Sequence, residues 1–147
     1  YNQYNQYRIF NFENNKLRIM GTSYSLGMNL AIDVKVERKI VFENTKTYKK
    51  YTYDASSITN GLYKVGTTLN DNLDKTRAWF DTSMDLSNLE RGVYAIYITT
   101  SSNISDYGEL TELLFRSLDD VKLTTNDKSY SFRINKDLRY RIELIVE

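Results

Sequence analysis

Gly92-Val93-Tyr94-Ala95-Ile96-Tyr97-Ile98 is the stretch that decides the fold class. In an extended chain, successive side chains point to opposite faces. Val93, Ala95 and Tyr97 then share one face, and Tyr94, Ile96 and Ile98 share the other. Both faces are apolar, as expected of a strand covered on both sides inside a sheet. At six residues, Val93 to Ile98 is strand-sized, far from the ~20 apolar residues a membrane-spanning helix requires. No membrane span is expected.

The same period of two extends outward in both directions. Upstream, Leu30, Ile32, Val34 and Val36 alternate with Ala31, Asp33, Lys35 and Glu37, and Ile40 and Phe42 keep the phase. Arg38 is the one polar residue on that face. Tyr7 to Phe12 reads as a strand, Glu13-Asn14-Asn15 as a turn and Leu17-Arg18-Ile19 as its partner. Glu43 to Lys46 reads as a turn before a returning strand from Tyr48 to Tyr53. Leu62 to Val65 suggests a short strand, Arg77-Ala78-Trp79-Phe80 resumes regular structure, and Leu110 to Phe115 fits either a strand or a short helix. Downstream, Val121-Lys122-Leu123 and Tyr130 to Ile134 form a hairpin around Thr125 to Lys128, and Leu138 to Leu144 alternates as the last strand. About ten short strands at this spacing indicate an all-β antiparallel sandwich. No linker or repeat divides the chain, so 1–147 is expected to be one domain, cut from a larger protein because it starts at Tyr1.

Composition narrows the chemistry. The 147 residues suffice to bury roughly two-thirds of the unfolded chain's surface. The chain has no His and no Cys, which excludes Ser-His-Asp triads, Cys-His dyads, zinc fingers and disulfide frameworks. A net charge of +1 supplies no global field for polyanions, so nucleic acid is not an expected partner. Asn, Lys, Ile and Tyr are favoured while Pro is absent, a bias towards AT-rich codons that points to a low-GC bacterium. A non-catalytic role is expected, with no cofactor and no resident metal.

Asp85-Leu86-Ser87-Asn88-Leu89-Glu90-Arg91-Gly92-Val93-Tyr94 carries the most specific pattern. A Leu, a turn Gly and a Tyr opening an apolar strand resemble the tyrosine corner of immunoglobulin-like sandwiches, where the hydroxyl bonds upstream backbone. Gly92 would supply a positive φ. Tyr94 and Gly92 are therefore expected to be structural. Together with Ile19-Met20-Gly21-Thr22-Ser23-Tyr24 and the pair Trp79-Phe80, the stretch from Leu17 to Ile98 resembles immunoglobulin-like accessory domains beside glycosyltransferase or glycerophosphotransferase modules of low-GC Gram-positive bacteria. That resemblance implies a non-catalytic domain that spaces, oligomerises or docks a catalytic partner on a cell-envelope polymer. It implies a location at the cell surface or in the secreted fraction, with the cytoplasmic face as the alternative. Its partners would be other domains of the parent protein and a cell-wall polymer or glycan.

Four features are candidates for contact. In Lys46-Thr47-Tyr48-Lys49-Lys50-Tyr51-Thr52-Tyr53, cations interleave with aromatics, which suits phosphate-rich polymers; the structural alternative is an edge strand whose lysines prevent aggregation. Tyr48 and Lys50 would share one face with Lys46 and Thr52. Trp79, with Arg77 beside it, would stack a sugar ring in a carbohydrate-binding module, or else belong to the core. Tyr1, Tyr4 and Tyr7 form either an aromatic stripe or a loose end. Among the acids, Asp71 and Asp74 have loop oxygens for Ca²⁺ without the rest of an EF-hand, and Asp81 with Asp85 would be a glycosidase pair only if they converged on a cleft.

Overall fold

The computed structural model describes residues 3–25, 36–55, 78–101, 105–109 and 117–147. The expected strands at Leu30 to Lys35 and Leu62 to Val65, the ambiguous Leu110 to Phe115, and Tyr1, Asp71, Asp74 and Arg77 lie outside them.

Two antiparallel sheets make up the fold. One holds β1 (Gln3–Glu13), β2 (Lys16–Ser25) and β5 (Trp79–Met84) in the order β1-β2-β5. The other contains β3 (Glu37–Asn44), β4 (Lys50–Asp54), β6 (Gly92–Ser101), β7 (Ser105–Glu109), β8 (Leu123–Thr124), β9 (Ser129–Asn135) and β10 (Arg141–Val146). Its order is β4-β3-β6-β10-β9-β8, with β7 also on β6. Immunoglobulin-type sandwiches place strands A, B and E in one sheet and G, F, C and C′ in the other. Here β1-β2-β5 and β10-β6-β3-β4 reproduce that order, and β7, β8 and β9 are additions between F and G. The fold is an all-β antiparallel sandwich.

Strand β6 is central, as its two apolar faces demand. Along one edge it pairs with β3, from Asn44↔Tyr94 to Glu37↔Ser101. Its other edge is shared in series, Gly92 to Ala95 with β10 and Tyr97 to Ser101 with β7. Tyr94, Ile96 and Ile98 face the other sheet and are fully buried, within a core that includes Phe10, Leu17, Ile19, Phe42, Phe80, Leu89 and Leu144. Rings close the layers: Phe10 meets Phe132 edge-on with centroids 4.9 Å apart, joining β1 to β9.

Arg38 keeps the inward phase of β3 and is drawn into this interior, 3% exposed. Its Nη2 donates to the Ser23 carbonyl at 3.1 Å, and its guanidinium lies over the Phe80 ring. Burial pulls its pKa down to about 10, which still leaves it charged at neutral pH.

Two sequence expectations change, and one strand is added. β4 begins at Lys50, so Lys46 to Lys49 belong to a turn and do not share a strand face with Lys50 and Thr52. β10 begins at Arg141; Leu138 closes a short 3-10 turn, Lys136–Leu138, and Arg139 and Tyr140 are left-handed. The segment Ser105–Glu109, unread in the sequence, is a strand.

The tyrosine corner has a defined geometry. Tyr94 Oη donates to the Glu90 carbonyl at 2.7 Å, four residues upstream. Leu86 and Leu89 are buried beneath the corner, and Leu89 N donates to Leu86 O at 3.1 Å. Gly92 has φ +153, and a Cβ there would lie 2.7 Å from Asn44 Nδ2. A Tyr94→Phe variant should lose about 1 kcal/mol, the net value of one such hydrogen bond. Urea unfolding measures this, and an unchanged midpoint would argue against the corner bond as a stabilising element.

Candidate functional site

The sequence candidates do not converge. Trp79 opens β5 opposite Thr22, near the end of the sandwich where Ser23 and Thr100 are hydrogen-bonded at 3.3 Å. Tyr48 lies just beyond Asn44, which pairs with Tyr94. Thr100 and Tyr94 are six strand positions apart, or roughly 20 Å at the rise of a strand. Trp79 and the β3–β4 turn that carries Tyr48 therefore occupy opposite ends, on different sheets.

Trp79 is also only 4% exposed. A sugar ring needs an open indole face, and here that face is covered. The core reading of Trp79 is the one its burial supports, and stacking on Trp79 is corrected accordingly. Tyr7 is buried as well, which removes it from an exposed aromatic stripe. Asp81 is held by Arg18, whose Nε and Nη2 donate to its two oxygens at 3.0 and 2.8 Å. Asp85 instead accepts from Ser87 N at 2.9 Å, which holds its carboxyl below the usual range. One is an ion pair on a strand and the other a turn cap, so they do not form a catalytic pair. Among the described residues, no group of three or more His, Cys, Asp or Glu could hold a metal ion, and no helix is long and apolar enough to cross a membrane.

What remains is the end of the sandwich that carries the tyrosine corner. Here the turn between β3 and β4 is built around Asn44. Its Oδ1 accepts from Lys46 N at 2.9 Å and Thr47 N at 3.0 Å, and its backbone carbonyl accepts from Tyr48 N at 2.9 Å. Thr45 N donates to Val93 O, which ties the turn to β6. Tyr48 follows with φ +62 and is 71% exposed. Left-handed backbone is costly for an aromatic residue, and this one gains no burial in return.

The lysines around it are largely matched by acids. Lys49 Nζ lies 3.5 Å from Glu90 and over the Tyr51 ring, Lys50 is 3.7 Å from Glu43, and Lys39 is 2.8 Å from Asp54. Exposed pairs like these contribute little stability, but they cancel the local field a phosphate polymer would feel. β4 is an edge strand among the described residues. Lys50, the one lysine of β4, therefore fits edge protection better than polyanion capture.

Neighbouring groups hold this end rigid. Tyr53 Oη donates to Asp85 O at 2.8 Å, and burial pushes its pKa up to about 12. Lys128 Nζ donates to the carbonyls of Ser87 at 2.9 Å and Leu89 at 2.8 Å, stitching the β8–β9 turn to the corner. Arg91 reaches the Asp127 carbonyl from the other side. Burial raises the Tyr94 hydroxyl above its ordinary pKa, with the Asn44 side chain acting in the opposite direction.

Sequence reading missed one cluster altogether. Glu143 on β10 is 1% exposed. Arg133 Nε and Arg141 Nε each donate to it at 2.8 Å, and Asn135 Nδ2 approaches both oxygens at 3.3 Å. Burial alone would raise its pKa, but the hydrogen bonds from Arg133, Arg141 and Asn135 together hold it below the ordinary glutamate value. Alternation around Glu143 marked its face of the strand but not what covers that face. No family model, curated protein or solved structure matches this chain.

Proposed function

We propose that the chain is a non-catalytic interaction module of a larger bacterial cell-envelope or secreted protein, working through glycan or protein contacts. The observation that carries this reading is Tyr48: an exposed aromatic ring on a turn braced by Asn44 and tied to β6 by Thr45. A ring presented on a prepaid backbone loses little entropy on binding, which favours contact. Tyr48 takes over the stacking role first assigned to Trp79, and Lys50, paired with Glu43, sits beside the site as part of its edge. The immunoglobulin-type strand order agrees with the resemblance to accessory domains of cell-envelope glycosyltransferases, and it leaves the catalytic partner to another part of the parent protein.

Calorimetric titration with cell-wall polymers, neutral glycans and the neighbouring domains of the parent protein tests this. Binding to one of them should weaken at least about tenfold in Tyr48→Ala, since an aromatic anchor typically contributes that much. The unfolding midpoint should not fall, because the ring is exposed and its truncation removes no packing. Binding that is indifferent to Tyr48→Ala would place the contact elsewhere, and silence across the panel would refute the reading.

A further inference from the structure

The end of the sandwich that carries Tyr48 is formed by the β1–β2, β3–β4, β5–β6 and β8–β9 turns. Each turn, with the residues that close it, holds both signs of charge: Glu13 and Lys16, Glu43 and Lys50, Glu90 and Arg91, Asp127 and Lys128. Lys46 and Lys49 add two cations, and Asp85 and Glu147 add two acids. The balance is local as well as overall. Lys49 pairs with Glu90 and Lys50 with Glu43, while Arg91 and Lys128 are spent on backbone carbonyls. A polyanion gains affinity by neutralising its charges with free cations, and this surface presents no such field.

A protein partner is a poor match for a different reason. Stable protein interfaces bury about 800 Å² on each side around an apolar centre from which charge is depleted. Among the described residues, Tyr48 is the one exposed large hydrophobic residue at this end; Leu138 and Tyr140 sit on the β9–β10 turn, at the other end. A single ring within a charged rim supplies no such centre. A sugar asks for less: one open aromatic face for its C–H side, and a few polar groups to fix its orientation. Lys49, the residue after Tyr48, places its Nζ 3.5 Å from Glu90 Oε1, and both side chains are exposed. That sets a donor beside an acceptor, and sugar hydroxyls both donate and accept.

We infer that the ligand of the Tyr48 site is an uncharged glycan, one sugar ring stacking on Tyr48 while its hydroxyls meet Lys49 and Glu90. The inference rests on the interaction-module reading and narrows it, setting aside both charged cell-wall polymers and protein domains as occupants of this site. One ring and one polar pair make a weak, readily reversible contact. Because neither partner carries net charge at the contact, its strength does not depend on salt, whereas binding of a polyanion falls steeply as salt is raised.

The test is an NMR titration of the chain with neutral hexasaccharides of glucose, of mannose and of N-acetylglucosamine, beside inorganic polyphosphate and the neighbouring domains of the parent protein. At least one saccharide should bind saturably, with an affinity that does not change as salt is raised. Tyr48→Ala should weaken that binding at least about tenfold and Glu90→Ala about fivefold, the worth of one hydrogen bond, both with an unchanged circular dichroism spectrum. Tyr48→Phe, which keeps the ring face, should bind like the native chain. A Tyr48→Trp variant supplies a direct reporter, because the native Trp79 is buried; its emission should change with the saccharide and stay constant with polyphosphate. The inference is overturned if no saccharide binds, or if Tyr48→Ala or Glu90→Ala binds as well as the native chain. Polyphosphate or a neighbouring domain bound through Tyr48 in place of a saccharide would overturn it and leave the interaction module standing. Silence from every probe would remove both.

Discussion

The Glu143→Gln variant is expected to lose about 3 kcal/mol of unfolding free energy, because removing one partner of a buried ion cluster strands the other. Arg141 is the residue stranded. Its side chain is 14% exposed, and its Nη2 lies 2.6 Å from a Glu143 oxygen. Arg133, at 51% exposure, can turn to water; Arg141 cannot do so without opening the sheet. Urea unfolding at neutral pH measures the loss, and a change under about 0.5 kcal/mol, within the range of ordinary surface substitutions, would show that the cluster does not stabilise the sheet.

The same group sets a pH dependence of definite sign. Glu143 titrates below its ordinary value in the folded protein and at that value in the unfolded chain. The native state therefore binds fewer protons across that window, and its stability rises with pH there. The contribution is complete above the ordinary glutamate pKa and is lost as pH falls through the depressed folded value. The native chain and the Glu143→Gln variant should accordingly converge in stability on acidification. A constant gap between them from neutral to acid pH would contradict this assignment.

Gly21→Ala should cost about 3 kcal/mol, at the upper end of overpacking effects, because the obstacle is main chain. Gly21 pairs with Tyr7 where the β1–β2 register shifts between Tyr7 and Ile9. A Cβ at position 21 would overlap the Gln6 carbonyl oxygen and stand 2.7 Å from Tyr7 Cα. Backbone cannot rotate aside as a side chain can. β1 would have to move away from β2, taking Phe10 out of its contact with Phe132. A lowered unfolding midpoint with faster amide exchange along β1 is the expected result. An alanine variant as stable as the native chain would mean that the bulge can relax at no cost.

Much of the fold was legible because it rests on local periodicity. Val93 to Ile98 announced a strand apolar on both faces, and it lies at the centre of its sheet between β3 and β10. Asn14-Asn15 announced a turn, and both residues take the left-handed backbone that their side chains tolerate. Gly92 and Tyr94 announced a corner, whose hydroxyl bonds Glu90 four residues away and so depends mostly on nearby sequence.

Other features were decided by what lies across a face or along an edge. Leu138 to Tyr140 alternate in phase with β10, yet form a turn. The edge of β6 that β10 would need beyond Ala95 is occupied by β7 from Tyr97 onward, and β9 ends at Asn135. Trp79 had a platform reading beside its core reading until it proved to be covered, and Arg38, the one polar residue on its face, proved to be buried with it. By itself the sequence determined the extended segments, several turns and the two-sheet class, because alternation and turn chemistry are properties of neighbouring residues. Tertiary structure alone decided which face was covered, which edge was free and which aromatic reached water, because those depend on strands brought together from distant parts of the chain.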